Sequence, residues 1–292
     1  MSTFRKLSYV VFLAVVGWIG LAADPGRVQI VDGRVVVSAG RVQVGGATTT
    51  TTTTTTTTQP YWTDSSSNSL VARYNFEGVN WTNDLAGANN LTPLGAVSQV
   101  VVGTNVNGRV EYAANFPNNI ADYFSMASTT LTHGKSNITA TAWVYRESYA
   151  YTYNTFVGAN NGADGWEISE RDPSTTVGGF MYLTGGTPYG ATPVIALGSW
   201  LNVAMTWSAA SGNWYVYTNG VQALTYASSG IIKQATKIYL GSSHDIDVNR
   251  HFYGKMDDVR IYCGNGTAYT LTAAQLTNLV ANTHPTNNME AR

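Results

Sequence analysis

The feature that most constrains the fold of this chain is a series of short segments, rich in aromatic and β-branched residues, that begins near residue 69. Clusters of Gly, Asn, Asp and Ser separate the segments, and no helical periodicity connects them. Many short strands with turn signals between them are typical of an antiparallel sandwich. The segments that carry this prediction are Ser69–Phe76, Ile138–Tyr145, Trp200–Trp207, Trp214–Tyr217 and Lys237–Leu240.

Two local signals add detail to the all-β prediction. Asn219-Gly220 is the strongest hairpin signal in the chain, because both residues tolerate positive φ. Near the C-terminus, Thr272 is placed to cap a helix, and Gln275 three residues later completes a capping box. We therefore predict two antiparallel sheets and one short C-terminal helix. The apolar side of that helix is predicted to consist of Leu271, Leu276 and Leu279.

The N-terminus has the organisation of a secretory signal peptide. Two basic residues precede an apolar stretch over Leu7–Leu21, and Gly20 and Ala22 fit the small-residue positions of a cleavage site. The stretch is shorter than the roughly 20 apolar residues of a membrane-spanning helix. We expect residues 1–23 to be removed, leaving a secreted, extracellular or cell-surface protein with no stable membrane span. An uncleaved anchor is the alternative.

Residues 24–47 form a repetitive tail. Three copies of a seven-residue unit begin with Gly26, Gly33 and Gly40, and polar and β-branched residues alternate behind each glycine. The pattern predicts short strands, and two or three such strands are not stable alone. We expect either a loosely ordered tail or one that gains order by pairing with a partner or another copy. The residues assigned to assembly are Arg27, Arg34 and Arg41.

Residues 48–60 form a threonine-rich linker. Threonine occupies every position from Thr48 to Thr58, so the run has no apolar residue that can join a core. β-Branching keeps such a run stiff and extended, and its hydroxyls are acceptors for O-glycosylation. We expect a spacer that holds the following domain away from the tail.

Composition limits the classes of partner. Charged residues make up 11% of the chain and the net charge is −1, which leaves no basic cluster for a nucleic-acid partner. Cys263 is the single cysteine, so no internal disulfide forms. Stability must then come from a packed core, with or without a bound metal.

Five stretches of the chain follow one another in an order that a known family shares. They are Leu70–Gly78, Ala114–Phe116 with Ala121–Phe124, Thr141–Val144, the hairpin from Trp200–Ala204 to Tyr217–Gly220, and Gly254–Tyr262 with Leu271–Leu276. Together they resemble the LamG-like jelly-roll domains of the concanavalin A-like lectin/glucanase superfamily. The resemblance implies a jelly-roll sandwich over residues 61–283, followed by a C-terminal tail over 284–292. It also implies that Trp143 and Trp200 belong to the core.

The last predicted strand places two adjacent carboxylates and an arginine among apolar residues. Strand alternation puts Met256, Asp258 and Arg260 on one face and Asp257 on the other. Burying a carboxylate is unfavourable unless it is paired or bound to a metal. A structural salt bridge from Arg260 to Asp258 is the preferred interpretation, and catalysis is the least favoured.

A structural calcium ion is the alternative for this strand, and it is implied by the resemblance to calcium-binding relatives. The ion would be held by Asp258 and by carbonyl groups near Glu77 and Gly78. A second, weaker calcium pattern is the alternation of Asp245, Asp247 and Asn249, for which a solvated hairpin loop is the preferred interpretation.

The chain lacks the carboxylate spacing of a retaining glycosidase. Related glucanases place Glu-x-Asp-x-x-Glu on one strand, and the nearest stretch here is Glu167–Asp172. Glu167 and Glu170 face opposite sides of a strand, and we expect Glu170 and Arg171 to be solvated. No nucleophile elbow, phosphate loop or helical zinc pair occurs either. We predict that the protein is not an enzyme and place an unusual glycosidase last.

Tyrosines supply the predicted ligand site. Tyr149, Tyr151 and Tyr153 alternate onto one face of a strand, and Tyr189 lies in a glycine-rich loop. Flat amphipathic rings beside Asn and Thr side chains suit sugar recognition. A tyrosine ladder that stabilises an edge strand is the alternative. Four Asn-x-Thr sequons are predicted surface glycosylation sites, at Asn80, Asn90, Asn137 and Asn265.

These observations favour a secreted, non-enzymatic carbohydrate- or surface-binding protein that acts in adhesion. Its expected partner is a glycan or an extracellular surface protein. The alternative is a structural subunit of an extracellular filament or surface layer, assembled as a homo-polymer through the N-terminal tail.

Overall fold

The computed structural model of the protein divides into two compact units, Met1–Tyr61 and Trp62–Arg292. The residues that the structure describes are 28–31, 34–37, 42–44, 47–49, 69–104, 110–117, 119, 121–126, 131–148, 154–160, 164–171, 176–187, 189–194, 196–233, 237–243, 250–266 and 270–283.

The described backbone of the first unit consists of two hairpins. Val28–Val31 (β1) pairs antiparallel with Arg34–Val37 (β2), and Val42–Val44 (β3) pairs antiparallel with Ala47–Thr49 (β4). The short strands predicted from the repeats therefore form. Strand β4 was not predicted, and it includes the first two residues of the threonine run because β-branched threonine suits a strand.

The second unit is a sandwich of two antiparallel sheets with a helix after the last strand, as predicted. Within the part of the chain that the structure describes, no helix has the length and hydropathy of a membrane span. In chain order the strands are β5 (Leu70–Tyr74), β6 (Leu91–Leu94), β7 (Ser98–Thr104), β8 (Val110–Phe116), β9 (Tyr123–Met126), β10 (Asn137–Arg146), β11 (Thr155–Asn160), β12 (Gly165–Arg171), β13 (Thr176–Tyr182), β14 (Tyr189–Val194), β15 (Trp200–Ser208), β16 (Asn213–Thr218), β17 (Val221–Ala227), β18 (Tyr239–Leu240) and β19 (Gly254–Gly264), and the helix is α1 (Ala273–Thr283).

The strands of the two sheets are interleaved along the chain, as in a jelly roll. The eight-stranded sheet has the order β17-β16-β15-β10-β19-β8-β7, and β5 also pairs with β19. The seven-stranded sheet has the order β14-β13-β12-β11-β18-β9-β6. The chain passes from one sheet to the other repeatedly, for example between β10 and β11 and between β18 and β19.

The core lies between the two sheets and follows from strand alternation. On β12, for example, Trp166 and Ile168 point into the core, while Glu167 between them points to the outer face. Trp207 and Trp214 of the opposite sheet are also fully buried in this cluster. Four of the aromatic residues in the segments predicted as strands therefore lie in the intersheet core: Tyr74, Phe76, Trp207 and Trp214.

Helix α1 covers part of the outer face of the eight-stranded sheet. Its predicted apolar residues are buried and pack against that face. The capping box also forms as predicted: the backbone N–H of Gln275 donates to Thr272 Oγ1 at 3.3 Å, and the backbone N–H of Thr272 donates to Gln275 Oε1 at 2.9 Å.

The Asn219-Gly220 turn joins β16 to β17, as predicted. The φ angles of the two residues are 49° and 75°, in the left-handed region that this hairpin turn requires. Gly220 also lies against the helix, because a Cβ atom there would come within 2.8 Å of Thr277 Cα. The turn therefore determines the geometry of the β16–β17 hairpin and also contacts α1, which packs closely against Gly220.

The two tryptophans assigned to the core differ in their surroundings. Trp143 is buried on the outer face of β10, where its Nε1 donates to Thr283 Oγ1 at the end of α1, at 2.9 Å. Trp200 is only half-buried and packs against Tyr145, with ring centroids 5.6 Å apart. The assignment of Trp200 to the core is wrong, because Trp200 is the first residue of β15 and lies at the end of the sheet.

Candidate functional site

The acidic strand β19 contains a bulge. It has one residue more than its partner β10 at Asp257-Asp258, where Asp258 adopts a left-handed φ of 40°. The bulge reverses the alternation of the strand, so Met256 before it and Val259 after it both lie in the intersheet core. The prediction that Met256 shares a face with Asp258 is therefore wrong.

The salt-bridge interpretation of Asp258 is confirmed. Arg260 donates to Asp258 Oδ2 from Nε at 2.9 Å and from Nη2 at 2.8 Å. Arg73 of β5, which the sequence did not indicate, donates from Nε to Asp258 Oδ1 at 3.1 Å. Two guanidinium groups therefore hold the one carboxylate and tie β5 to the bulge.

Asp257 and Asp258 experience opposite electrostatic environments. Burial raises the pKa of Asp258, but the two guanidinium groups outweigh it and hold this pKa below its usual range. Burial also raises the pKa of Asp257, and the negative charges of Asp258, Glu77 and Glu111 raise it further. The surroundings therefore favour the ionised form of Asp258 and disfavour the ionised form of its neighbour Asp257.

The predicted calcium ligands have protein partners. The backbone N–H of Tyr112 donates to Glu77 Oε1 at 2.8 Å, and Gln99 Nε2 donates to the Gly78 carbonyl at 3.1 Å. Asp258 does not fit as a ligand, because both of its oxygens face positively charged guanidinium groups. The described residues include no group of three Asp, Glu, His or Cys side chains arranged for a metal. Calcium near Glu77 and Gly78 stays a prediction.

Strand β12 directs Glu167 and Glu170 to opposite sides of the seven-stranded sheet, as alternation predicts. Glu170 points into the core, where it forms an ion pair with Arg146 and accepts from Asn154 Nδ2 at 2.5 Å. Its exposure is 0%, so the expectation that Glu170 is solvated is wrong. Arg146, 2% exposed, supplies the compensating charge. The side chain of Arg171 lies outside the described residues.

Glu167 belongs to a row of residues on the outer face of the seven-stranded sheet, which we call the polar row. Side chains in register on neighbouring strands share one face of a sheet. Exposure falls along the row, from Thr92, which is exposed, through half-buried Tyr239 to Glu167, which is 1% exposed. In register across the sheet, the polar row consists of Thr92, Ser125, Tyr239, Gly158, Glu167 and Phe180.

Aromatic pairs flank the polar row on both sides of Glu167. Tyr239 packs against Tyr123 with ring centroids 5.9 Å apart, and Phe180 packs against Tyr182 at 5.1 Å. Burial, followed by the electrostatic interaction with Tyr123, raises the pKa of Tyr239 above its ordinary value. The protonated hydroxyl of Tyr239 can donate a hydrogen bond. The polar row therefore combines flat rings with donor and acceptor groups.

Gly158 separates Tyr239 from Glu167 in the polar row. A Cβ atom at this glycine would lie 3.2 Å from Glu167 Cγ and 3.1 Å from the Trp166 carbonyl oxygen. The stem of the Glu167 side chain therefore lies across the glycine, on the side of the row that carries Tyr239.

Three buried polar atoms on this face have no hydrogen-bond partner in the part of the chain that the structure describes. They are Glu167 Oε1, Ser169 Oγ and Thr155 Oγ1. Glu167 Oε2 accepts from Asn160 Nδ2 at 3.2 Å, and Thr155 pairs in register with Ser169, two residues from Glu167. Buried polar atoms are nearly always hydrogen-bonded, so these atoms mark a place for hydroxyl groups from water or a ligand.

Several predicted site residues cannot be compared with this face. Tyr189 lies in β14, a strand rather than the predicted loop, in register with Phe180. Arg34 is the first residue of β2. The positions outside the described residues are Tyr149, Tyr151, Tyr153, Arg27, Arg41, Asp245, Asp247 and Asn249.

The four sequons differ in exposure. Asn80, Asn90 and Asn265 are exposed. Asn137 is 2% exposed, its Nδ2 donates to Ser136 Oγ at 2.9 Å, and its Oδ1 accepts from a threonine hydroxyl. Asn137 is therefore not the predicted surface site, because a glycan on Nδ2 has no room at the buried start of β10.

The polar row was missed in the sequence because it joins six strands whose register cannot be read from local patterns. One signal was available. On β12, Glu167 and Ser169 alternate with Trp166 and Ile168, which predicts polar side chains on the face opposite the core.

The fold and the polar row define a class of protein: a two-sheet jelly roll with a polar and aromatic surface on one sheet. Residues 118–275 match the laminin G-like family profile of the concanavalin A-like lectin/glucanases superfamily. The match covers more than half of the chain, and the chain belongs to this family. No curated protein matches the chain.

Solved structures similar to this chain include binding domains. Domain 4 of AbnA, an extracellular arabinanase from Geobacillus stearothermophilus solved with arabinotriose, is 20% identical with a TM-score of 0.53, covering 72% of this chain and 98% of that one. The binding domain of Paraclostridial Mosquitocidal Protein 1 is 17% identical with a TM-score of 0.57, and the match covers 74% of this chain and 52% of that one. The binding domain of botulinum neurotoxin serotype G is 13% identical with a TM-score of 0.55, and the match covers 72% of this chain and 50% of that one. The chain thus spans about half the length of the toxin domains, and the likeness is one of fold.

Proposed function

We propose that the protein is a secreted, non-enzymatic binding protein that recognises a glycan or a glycan-bearing surface through the polar row. One observation carries this proposal. The polar row leads from exposed Thr92 through half-buried Tyr239 to the buried carboxylate of Glu167, one of whose oxygens has no partner in the described part of the chain. Rings that stack on sugar faces and acceptors for sugar hydroxyls are the two components of carbohydrate recognition.

The positions of the carboxylates support binding rather than hydrolysis. Retaining glycosidases need two carboxyl groups about 5 to 5.5 Å apart that flank the scissile bond in one cleft. The side chain of Glu167 lies in the polar row on the outer face of the sheet. The side chain of Glu170 points into the core, where it is paired with Arg146. The two side chains of β12 therefore do not form such a pair.

The structural neighbours support a binding role by analogy of fold. These neighbours include an arabinanase domain solved with arabinotriose and binding domains of toxins. The signal-like N-terminus supports secretion and an extracellular or cell-surface location. The tyrosines at 149, 151, 153 and 189 remain the alternative predicted contact surface for the ligand.

A glycan array tests the proposal. We expect the purified protein, from residue 24 onward, to retain at least one oligosaccharide, because the polar row offers both stacking and hydrogen bonding. The same array probed after heat denaturation serves as the control for nonspecific adhesion. Retention of no glycan by the folded protein would contradict the proposal.

A second function, homo-polymer assembly, is favoured by the two hairpins of the first unit. Among the described residues, β1 pairs only with β2 and β3 only with β4, so the other edge of each strand can accept a strand from a second copy. We expect filaments in negative-stain micrographs of the chain from residue 24 and dispersed particles after deletion of residues 24–46. Dispersed particles from both preparations would rule out this function.

A further inference from the structure

One sheet edge of the jelly roll suits the addition of a strand. Among the described residues, β7 is the last strand of the eight-stranded sheet and pairs only with β8. Its residues include no charged side chain and no proline, which are the usual devices that keep other strands from pairing with an edge. A bulge between Val101 and Gly103 limits the regular edge to Ser98–Val101. The tail strands β1 and β2 have the same length of four residues.

Apolar side chains are exposed beside the regular part of this edge. Val101 is 54% exposed. Gln99 Nε2 donates to the Gly78 carbonyl at 3.1 Å, which places Val79, 95% exposed, beside the same strand. Exposed apolar groups that lie together are typical of an interaction surface. A partner strand with valine side chains would cover them.

The acidic side chains beside this edge are Glu77 and Glu111. The backbone N–H of Tyr112, which is in register with Val101, donates to Glu77 Oε1 at 2.8 Å. Glu111 is in register with Gly103. Both carboxylates therefore belong to the end of β7 that carries the exposed valine.

The described cations near this edge are paired with other carboxylates. The two guanidinium groups that hold Asp258 are occupied by it. Lys255 lies two strands away, at the opposite end of β7, and is paired with Glu147. Arg109, between β7 and β8 in the sequence, lies outside the described residues. The described surroundings of the edge therefore favour a positively charged partner.

The other sheet edges fit such a partner less well. Strands β6 and β14, the ends of the seven-stranded sheet, contain Pro93 and Pro193, whose nitrogen atoms cannot donate to a new strand. Strand β17, the other end of the eight-stranded sheet, contains no acidic residue, and neither does its neighbour β16. Charge therefore distinguishes β7 from β17.

The N-terminal tail contains strands that match the β7 edge. Each of its repeats has an arginine followed by Val-x-Ile or Val-x-Val, and residues 24–46 contain three arginines against two aspartates, a net charge of +1. Strand β2 begins with Arg34 and continues with three valines. Among the described residues it pairs only with β1, which leaves its other edge for a further partner. Strand β2 thus offers backbone groups, apolar side chains and a positive charge together.

We infer that β7 of one copy accepts strand β2 from the tail of a second copy, by β-strand addition. The inference rests on the assembly function and names the surface to which the tail binds. The valines of β2 cover Val101 and Val79. Arg34 supplies the positive charge that Glu77 and Glu111 attract. Because the two contacting surfaces differ and each copy carries one of each, the contact can propagate from copy to copy into a filament.

Sedimentation velocity of the chain from residue 24 tests the inference. We expect Val101→Lys to lower the assembled fraction about tenfold, because a lysine on an edge strand opposes strand addition and repels Arg34. The control is Val221→Lys, the same substitution at an exposed valine of the β17 edge, which should leave the assembled fraction unchanged. Arg34→Gln should weaken assembly and reduce its dependence on salt.

Hydrogen exchange followed by mass spectrometry gives an answer without a substitution in β7. We expect residues 98–104 to exchange more slowly in the assembled wild type than in the chain that lacks residues 24–46, and residues 221–227 to exchange equally in both. Equal exchange of residues 98–104 would overturn the inference, even if Val101→Lys fails to fold. Slow exchange that persists in wild type diluted to single copies would place the tail of the same chain on the edge, and would overturn it as well.

The outcomes separate the inference from the assembly function. If the wild type assembles and Val101→Lys assembles equally well, the tails pair with another surface, so the inference is overturned while the assembly function stands. If the wild type does not assemble, both are overturned.

Discussion

Replacing Asp258 by Asn is expected to lower the free energy of unfolding by about 3 kcal/mol, because removing one partner of a buried ion pair leaves the other charge uncompensated. Here Arg260 and Arg73 both lose their carboxylate. Asn tolerates the left-handed backbone at this position, so the substitution changes the charge and not the φ angle. Urea denaturation with an unchanged m-value measures the loss. A loss below about 1 kcal/mol would contradict a structural role for the salt bridge.

Asp257→Asn is the matched control for that experiment. The pKa of Asp257 is raised, so ionising it costs folding free energy as the pH rises above about 4, the usual value for Asp. We therefore expect Asp257→Asn to be neutral or stabilising at pH 7 and without effect near pH 3. The pKa of Asp258 is lowered, so its contribution is present above pH 4 and is lost as the pH falls through the folded value. The same loss of stability in both variants at pH 7 would show that the two carboxylates do not differ in this way.

Glu170→Ala is expected to destabilise the domain by about 4 kcal/mol, since Arg146 would remain charged inside the core. Glu170→Gln should cost less, because its amide oxygen still accepts a hydrogen bond from the guanidinium group. The pKa of Glu170 is raised mainly by burial, which indicates that the charge itself is unfavourable there. Guanidinium denaturation of the two variants measures the difference.

The double variant Arg146→Met with Glu170→Leu separates charge compensation from packing. Buried ion pairs are often replaced by apolar residues of similar volume without loss of stability. We expect the free energy of unfolding of the double variant to be within about 1 kcal/mol of the wild-type value and well above that of Glu170→Ala. A double variant as unstable as Glu170→Ala would show that the site requires its polar contacts, including that of Asn154.

The sequence was sufficient for the architecture because the fold is encoded in local patterns. The alternation of Trp166 and Ile168 with polar residues, the Asn219-Gly220 turn and the capping box each act within a few residues. These signals do not depend on which strands become neighbours. The two sheets and the helix were therefore predictable.

The candidate site was less predictable because it depends on register and on distant partners. The bulge at Asp258 changes the face of every residue before it, and Arg73 reaches this carboxylate from 185 residues away. The expectation of a solvated Glu170 failed for the same reason, since Arg146 lies on the other sheet. Local periodicity contains no information about such partners.

The direct test of the central proposal is the affinity of Tyr239→Ala for the glycan that the wild type retains, compared with that of a variant in which Tyr149, Tyr151 and Tyr153 are all replaced by Ala. We expect Tyr239→Ala to bind at least tenfold more weakly, because the stacking ring of the polar row is lost, and the triple variant to bind within about twofold of the wild type. Loss of binding in the triple variant, with Tyr239→Ala unaffected, would show that the ligand binds at the tyrosine segment and not at the polar row.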